Sequence, residues 1–142
     1  MKGWATMDNS ENRLNDVFFY GLYMDPEVLK AKGVEPRNPR KAVVKGYRLK
    51  VGKMATLLRE ANAQTHGIIY ALTHGEVNTL YWGSGLEAYV AESLLAETKN
   101  NENVAVLCCN LLLPPEEGDA NPEYLEKLLR CMKKLGVRAP SA

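Results

Sequence analysis

Phe18-Phe19-Tyr20-Gly21-Leu22-Tyr23-Met24-Asp25-Pro26 sets a strand, a corner and a helix start in immediate succession. An apolar run ends on an aromatic residue, a glycine makes the corner, and Asp25-Pro26 supplies an N-cap followed by a proline at the first helical position. The spacing predicts a strand over Asp16 to Tyr20 and a short helix from Pro26 to Lys32, stopped near Gly33 by a left-handed cap. Between them the backbone N–H groups of Gly21 to Met24 can point outward together and hold an anion or carboxylate. An ordinary strand-to-helix corner is the alternative reading of the same residues.

Outward from this corner, residues 1–15 are polar and are expected to form a flexible leader. Residues 16–138 are expected to form one domain, with 139–142 as a tail. Glu35-Pro36-Arg37-Asn38-Pro39-Arg40 is expected to be irregular, because each proline removes a donor and restrains its predecessor. Ala42 to Lys50 reads as a strand bent at Gly46, and Ala55 to Leu58 as a short strand. Asn62-Ala63 is a predicted turn before the strand Thr65 to Thr73, rich in β-branched and aromatic residues. Thr73 caps a predicted helix from His74 to Tyr81, with Val77 and Leu80 on one face. Tyr89 to Thr98 and Val104 to Leu113 read as paired strands around a turn at Asn100 to Asn103. Asn121 caps a last helix, Pro122 to Leu135, whose apolar stripe is Tyr124, Leu125, Leu128, Leu129 and Met132, and Gly136 ends it. Six or so mostly antiparallel strands with short flanking helices predict an α+β fold, a small mixed barrel whose mouth is a natural pocket.

The chain has 142 residues, 46% apolar and 25% charged, which suits one globular domain. A net charge of +1 gives no bulk electrostatic reason for a nucleic-acid or membrane partner. No apolar run reaches the length of a membrane span, and residues 1–15 lack the hydrophobic segment of a signal peptide. Three cysteines, two of them adjacent, make no disulfide framework, so reduced thiols and a cytoplasmic location are expected. His66 and His74 stand at opposite ends of one predicted strand, roughly 25 Å apart, too far to share a metal ion. Cys108 and Cys109 face opposite sides of a strand. Neither a phosphate loop nor a dinucleotide fingerprint is present.

Several short motifs, in order, resemble the gamma-glutamylcyclotransferase-like family. Tyr20-Gly21-Leu22-Tyr23-Met24 stands where that family has a Tyr-Gly-Ser-Asn substrate loop after its first strand. Gly46-Tyr47-Arg48-Leu49 and Gly67-Ile68-Ile69-Tyr70-Ala71-Leu72 resemble its second- and third-strand motifs, the helix ending in Leu80 and the strand entered at Tyr89 also correspond, and Asn121-Pro122-Glu123-Tyr124 resembles its terminal tyrosine and helix. The resemblance spans roughly residues 16–137. It implies a small barrel enzyme, an acyltransferase without cofactor, that drives the α-amine of a gamma-glutamyl amide onto its own side-chain carbonyl. The products are 5-oxoproline and a free amine, and one cavity glutamate carries the proton. The substrate-binding positions it implies are Tyr20, Gly21, Leu22, Tyr23, Met24, Tyr89 and Tyr124, with a small amino-acid or carboxylate-bearing molecule as partner.

Two departures bear on the chemistry. Ser84 stands at the position of the family's glutamate, and a serine hydroxyl does not hold a proton near neutral pH. Leu22 and Tyr23 replace smaller polar residues of the loop. Glu92 and Glu87 are therefore the candidate acid–bases beside Ser84, and Tyr20, Tyr23, Trp82 and Tyr89 the candidate cavity aromatics. Whether the chain is an enzyme stays open at this level. The alternative is a catalytically silent barrel that binds a small carboxylate-bearing metabolite.

Overall fold

The computed structural model describes residues 10–52, 54–82, 85–112 and 121–139. Five strands form a closed barrel: β1 (Leu14–Phe19), β2 (Arg37–Val51), β3 (Ala55–Thr73), β4 (Tyr89–Thr98) and β5 (Asn103–Leu111). Their order around the barrel is β1-β3-β2-β4-β5. Every neighbouring pair is antiparallel except β1 and β5, which close the barrel in parallel at Val17↔Leu107. The closing contacts are short: β2 meets β4 at Ala42↔Thr98 and Val43↔Glu97, and β1 meets β5 at one position. Val17, Val44, Ile69, Leu72, Ala96 and Val106 fill the core, each nearly or completely buried.

Three expectations need correction. The first strand begins at Leu14, because Leu14 and Asn15 pair with Thr73 and Leu72, so these two residues belong to the barrel and not to a leader. The proline-rich segment joins β2 from Arg37 onward. It does so through an irregularity between Arg37 and Arg40, where Asn38 adopts a positive φ of 50° and Pro39 sits in the shifted register. The two short strands around Asn62-Ala63 are one strand, β3, paired along most of its length with β2. Between the pairs Lys45↔Gln64 and Tyr47↔Arg59 the register shifts, and residues 60–63 bulge outward while Gly46 takes a φ of +86° opposite them. The described residues accordingly form five strands.

The helices follow their local signals closely. A short 3-10 turn (Leu22–Met24) follows Gly21, and α1 (Pro26–Ala31) starts where the Asp25 carboxylate accepts from the Glu27 N–H. In α2 (His74–Tyr81) the Thr73 hydroxyl and the Glu76 carboxylate cap each other's backbone. In α3 (Pro122–Leu135) Asn121 caps the start and Gly136, at φ 70°, ends it. Its buried face is Leu128, Cys131 and Met132, whereas Leu125 and Leu129 stay 39% and 41% exposed. The stripe read from the sequence is thus turned toward Cys131, which packs with the core cluster. No described helix is long and apolar enough to cross a membrane.

Candidate functional site

The ends of β1 and β5 and the starts of β3 and β4 meet at one mouth of the barrel. A cavity of about 260 Å³ opens there, walled by Phe19, Tyr20, Gly21, Leu22, Tyr23, Met54, Ala55, Tyr81, Leu86, Tyr89 and Tyr124. Of the positions expected to bind a substrate, Tyr20, Gly21, Leu22, Tyr23, Tyr89 and Tyr124 line it together. Met24 does not: it is fully buried, and its carbonyl accepts from the Tyr70 hydroxyl at 2.6 Å. Trp82 is 76% exposed and stands outside the cavity, and Tyr81 takes the place expected of it. A signal for Tyr81 was available, since it lies four residues after Val77 on the same helix face.

Aromatic packing fixes the wall. Tyr23 meets Phe19 and Tyr81 edge-on, with ring centroids 6.0 and 5.6 Å apart, and Tyr81 leans on Tyr89 at 5.5 Å. The hydroxyl protons are spent on the backbone. Tyr20 donates to the Cys109 carbonyl at 2.7 Å, Tyr23 to the Leu80 carbonyl at 2.9 Å, and Tyr89 to the Ala55 carbonyl. A phenol whose proton is committed in this way is left as an acceptor only.

Burial pushes the pKa of Tyr20, Tyr23, Tyr81, Tyr89 and Tyr124 above the usual phenol value, so none is a base near neutrality. For Tyr124 the Leu22 N–H, which faces the phenol oxygen, works against that rise. Burial likewise pushes the Cys109 thiol up to about 11 and the Cys108 thiol higher still, which makes both poor nucleophiles. In the 3-10 turn the Met24 and Asp25 N–H groups donate to the carbonyls of Gly21 and Leu22. Four amides aimed outward were expected at Gly21 to Met24; the Met24 amide is spent within the turn.

Neither candidate carboxylate is among the described lining residues. Glu92 shares its face of β4 with buried Leu94 and Ala96. Its Oε1 accepts from Asn110 Nδ2 at 3.2 Å, and its Oε2 lies 3.9 Å from Arg59. Asn110 in turn accepts from the Cys108 thiol. Glu87 is exposed on the turn before β4; its Oε1 accepts from the Gly85 N–H at 3.4 Å, and the preceding residue, Leu86, lines the cavity. Ser84 lies outside the described residues. Among the described residues no three His, Cys, Asp or Glu side chains gather as a metal site.

The closed five-stranded mixed barrel with three helices among the described residues is the gamma-glutamylcyclotransferase-like fold. Solved structures similar to this chain include a gamma-glutamyl cyclotransferase, with a TM-score of 0.71 and 14% identity over 87% of this chain and 81% of that one. An Arabidopsis thaliana protein, At5g39720.1, aligns with a TM-score of 0.61 and 22% identity, covering 91% of this chain and 88% of its own. An AIG2-like protein from Mus musculus aligns with a TM-score of 0.54 and 14% identity over 80% and 84% of the two chains. No protein-family model and no curated protein sequence matches the chain.

Proposed function

We propose that the tyrosine-walled mouth binds a small gamma-glutamyl amine and cleaves it by intramolecular acyl transfer. The observation that carries this reading is the set of pocket hydroxyls whose protons are committed to backbone carbonyls. Their oxygens are left as acceptors suited to an ammonium group. Of the corner's amides, the Leu22 N–H faces the Tyr124 oxygen and the Met24 N–H is spent in the turn, which leaves those of Gly21 and Tyr23 for a carboxylate. A ligand carrying both groups is an amino acid or its conjugate.

In the proposed reaction the ligand's α-nitrogen attacks its own γ-carbonyl carbon. The new C–N bond closes a five-membered ring, the old amide C–N bond breaks, and the products are 5-oxoproline and a free amine. The α-ammonium gives up one proton to become nucleophilic and a second as the ring closes, and the leaving nitrogen takes up both to depart as an ammonium, so a single carboxylate can carry the protons from one nitrogen to the other. We assign that role to Glu87, next to the lining residue Leu86, in preference to Glu92, which Asn110 and Arg59 hold on β4. Three free cysteines suit a reducing, cytoplasmic setting for this chemistry.

Release of 5-oxoproline by Glu87→Gln and Glu92→Gln tests the assignment. Loss of a positioned acid–base costs about 10²- to 10⁴-fold in kcat. That loss is expected for Glu87→Gln, with Glu92→Gln within a few-fold of the natural chain. A reversed pattern moves the role to Glu92, and ligand binding without any turnover overturns the enzymatic reading.

A further inference from the structure

At the opposite end of β4 from Tyr89 lies a second, shallower groove. Lys41 of β2, His66 of β3, Thr98 at the end of β4, Lys99 and Asn101 of the following turn, and Arg138 beyond α3 all line it. It shares no lining residue with the tyrosine pocket. The length of β4 separates the two, roughly 30 Å at ~3.3 Å per residue.

The groove gathers positive charge that has no answer within the described residues. Lys41, Lys99 and Arg138 have no ion-pair partner among them. Glu97 is the one carboxylate in the described lining, and Lys45 holds it at 3.1 Å. The Thr98 hydroxyl is buried and makes no hydrogen bond among the described residues, an arrangement that costs free energy unless a partner is supplied. With a net charge of +1, the chain as a whole is not strongly basic, so this local excess is not part of a general trend.

We propose that this groove binds the phosphate group of a small phosphorylated molecule. Donors arrive from β2, β3, the end of β4 with its turn, and the segment after α3, and a tetrahedral anion offers oxygens in each of those directions. Two negative charges match three cations better than the single charge of a carboxylate, and the Thr98 hydroxyl gains a hydrogen-bond partner.

His66 is a built-in reporter. Burial first, and then the charge of Arg138, lowers its pKa from the ordinary imidazole value. Lys41, Glu97, Lys99 and Arg138 are the charged groups that share the groove with it. A bound dianion opposes the Arg138 contribution and raises the pKa. His74, exposed beside Arg13 and outside the groove, is the internal control and the only other histidine in the sequence.

The test is an NMR titration of both imidazoles in the full chain, in sulfate and in chloride at matched ionic strength. Sulfate is the probe because it stays a tetrahedral dianion across the range. The expected result is a rise of about half a pH unit or more at His66 with His74 unmoved. Lys41→Gln and Arg138→Gln, both at exposed positions, are each expected to weaken sulfate and inorganic phosphate binding about fivefold or more. An unmoved His66, equal shifts at both histidines, or variants that bind as the natural chain does would each overturn the proposal. Acetate producing the same His66 shift as sulfate would overturn the phosphate assignment.

Discussion

The hydroxyl of Tyr124, carried by α3, lies 2.9 Å from where a Cβ on Gly21 would stand. The φ of Gly21 is −112°, open to any residue, so the close approach of the Tyr124 side chain, and not backbone conformation, is what favours a glycine here. The last helix therefore seals the corner that follows the first strand. Gly21→Val is expected to push Tyr124 from the pocket wall, abolish ligand binding and lower stability by about 1–2 kcal/mol. Tyr124→Phe in the same chain removes the clashing oxygen and is expected to restore part of the stability in a urea titration. Unchanged ligand affinity in Gly21→Val would remove the corner from the site.

Glu76 ties α2 to the start of β2. Burial alone would raise its pKa, but hydrogen bonds from the Arg37 guanidinium at 2.7 Å and from the Glu35 and Thr73 N–H groups outweigh this and hold it at about 2. A carboxylate with a depressed folded-state pKa adds stability that is complete above its unfolded value and fades as pH falls through the folded one. Stability is thus expected to decline from roughly pH 5 down toward pH 2, and Glu76→Gln to flatten this decline while costing ~2 kcal/mol at neutrality. Chemical denaturation of both proteins between pH 2 and 7 measures the difference.

Two glycines predict opposite outcomes. A Cβ on Gly67 would run into the backbone of Phe19 and come within 2.7 Å of the Phe18 ring. Gly67→Ala is expected to cost about 3 kcal/mol or to prevent folding, since β1 cannot retreat without breaking its pairing with β3. A Cβ on Gly75 meets only the Thr73 hydroxyl, at 3.8 Å, near the start of α2. Gly75→Ala is expected to gain roughly 0.5 kcal/mol by reducing unfolded-state entropy. Midpoints in urea for the pair check both signs.

Deletion of residues 1–15 is expected to lower the Tm by several degrees, because it takes Leu14 and Asn15 out of β1 and unpairs Thr73 and Leu72. An unchanged Tm would show that these ladder positions carry no stability.

Local signals made α2, β4 and α3 legible in the sequence to the residue. Thr73 at the start of α2, Asn121 with Pro122 at the start of α3 and Gly136 at its end each act within one turn of the chain and need no tertiary context. The long β2–β3 hairpin was not legible. Its bulges depend on a partner strand that accepts Pro39 and expels residues 60–63. Parallel closure of β1 on β5 joins residues some ninety positions apart and leaves no local trace. Of the cavity wall, Gly21 and the tyrosines Tyr20, Tyr23, Tyr89 and Tyr124 stand at positions that motif order had singled out. Met24 was misplaced because a motif does not say which side of a 3-10 turn faces the core, and Met54 and Leu86 enter the wall only through the path of the loops.

Product stoichiometry tests the proposed chemistry most directly. The natural chain is incubated with a panel of gamma-glutamyl amines, and 5-oxoproline, free amine and glutamate are quantified by mass spectrometry. Intramolecular cyclisation predicts 5-oxoproline and amine released one to one, with no glutamate, from at least one member of the panel. Glutamate in place of 5-oxoproline would show that water, not the α-amine, attacks the carbonyl. No product from any member would contradict the enzymatic reading.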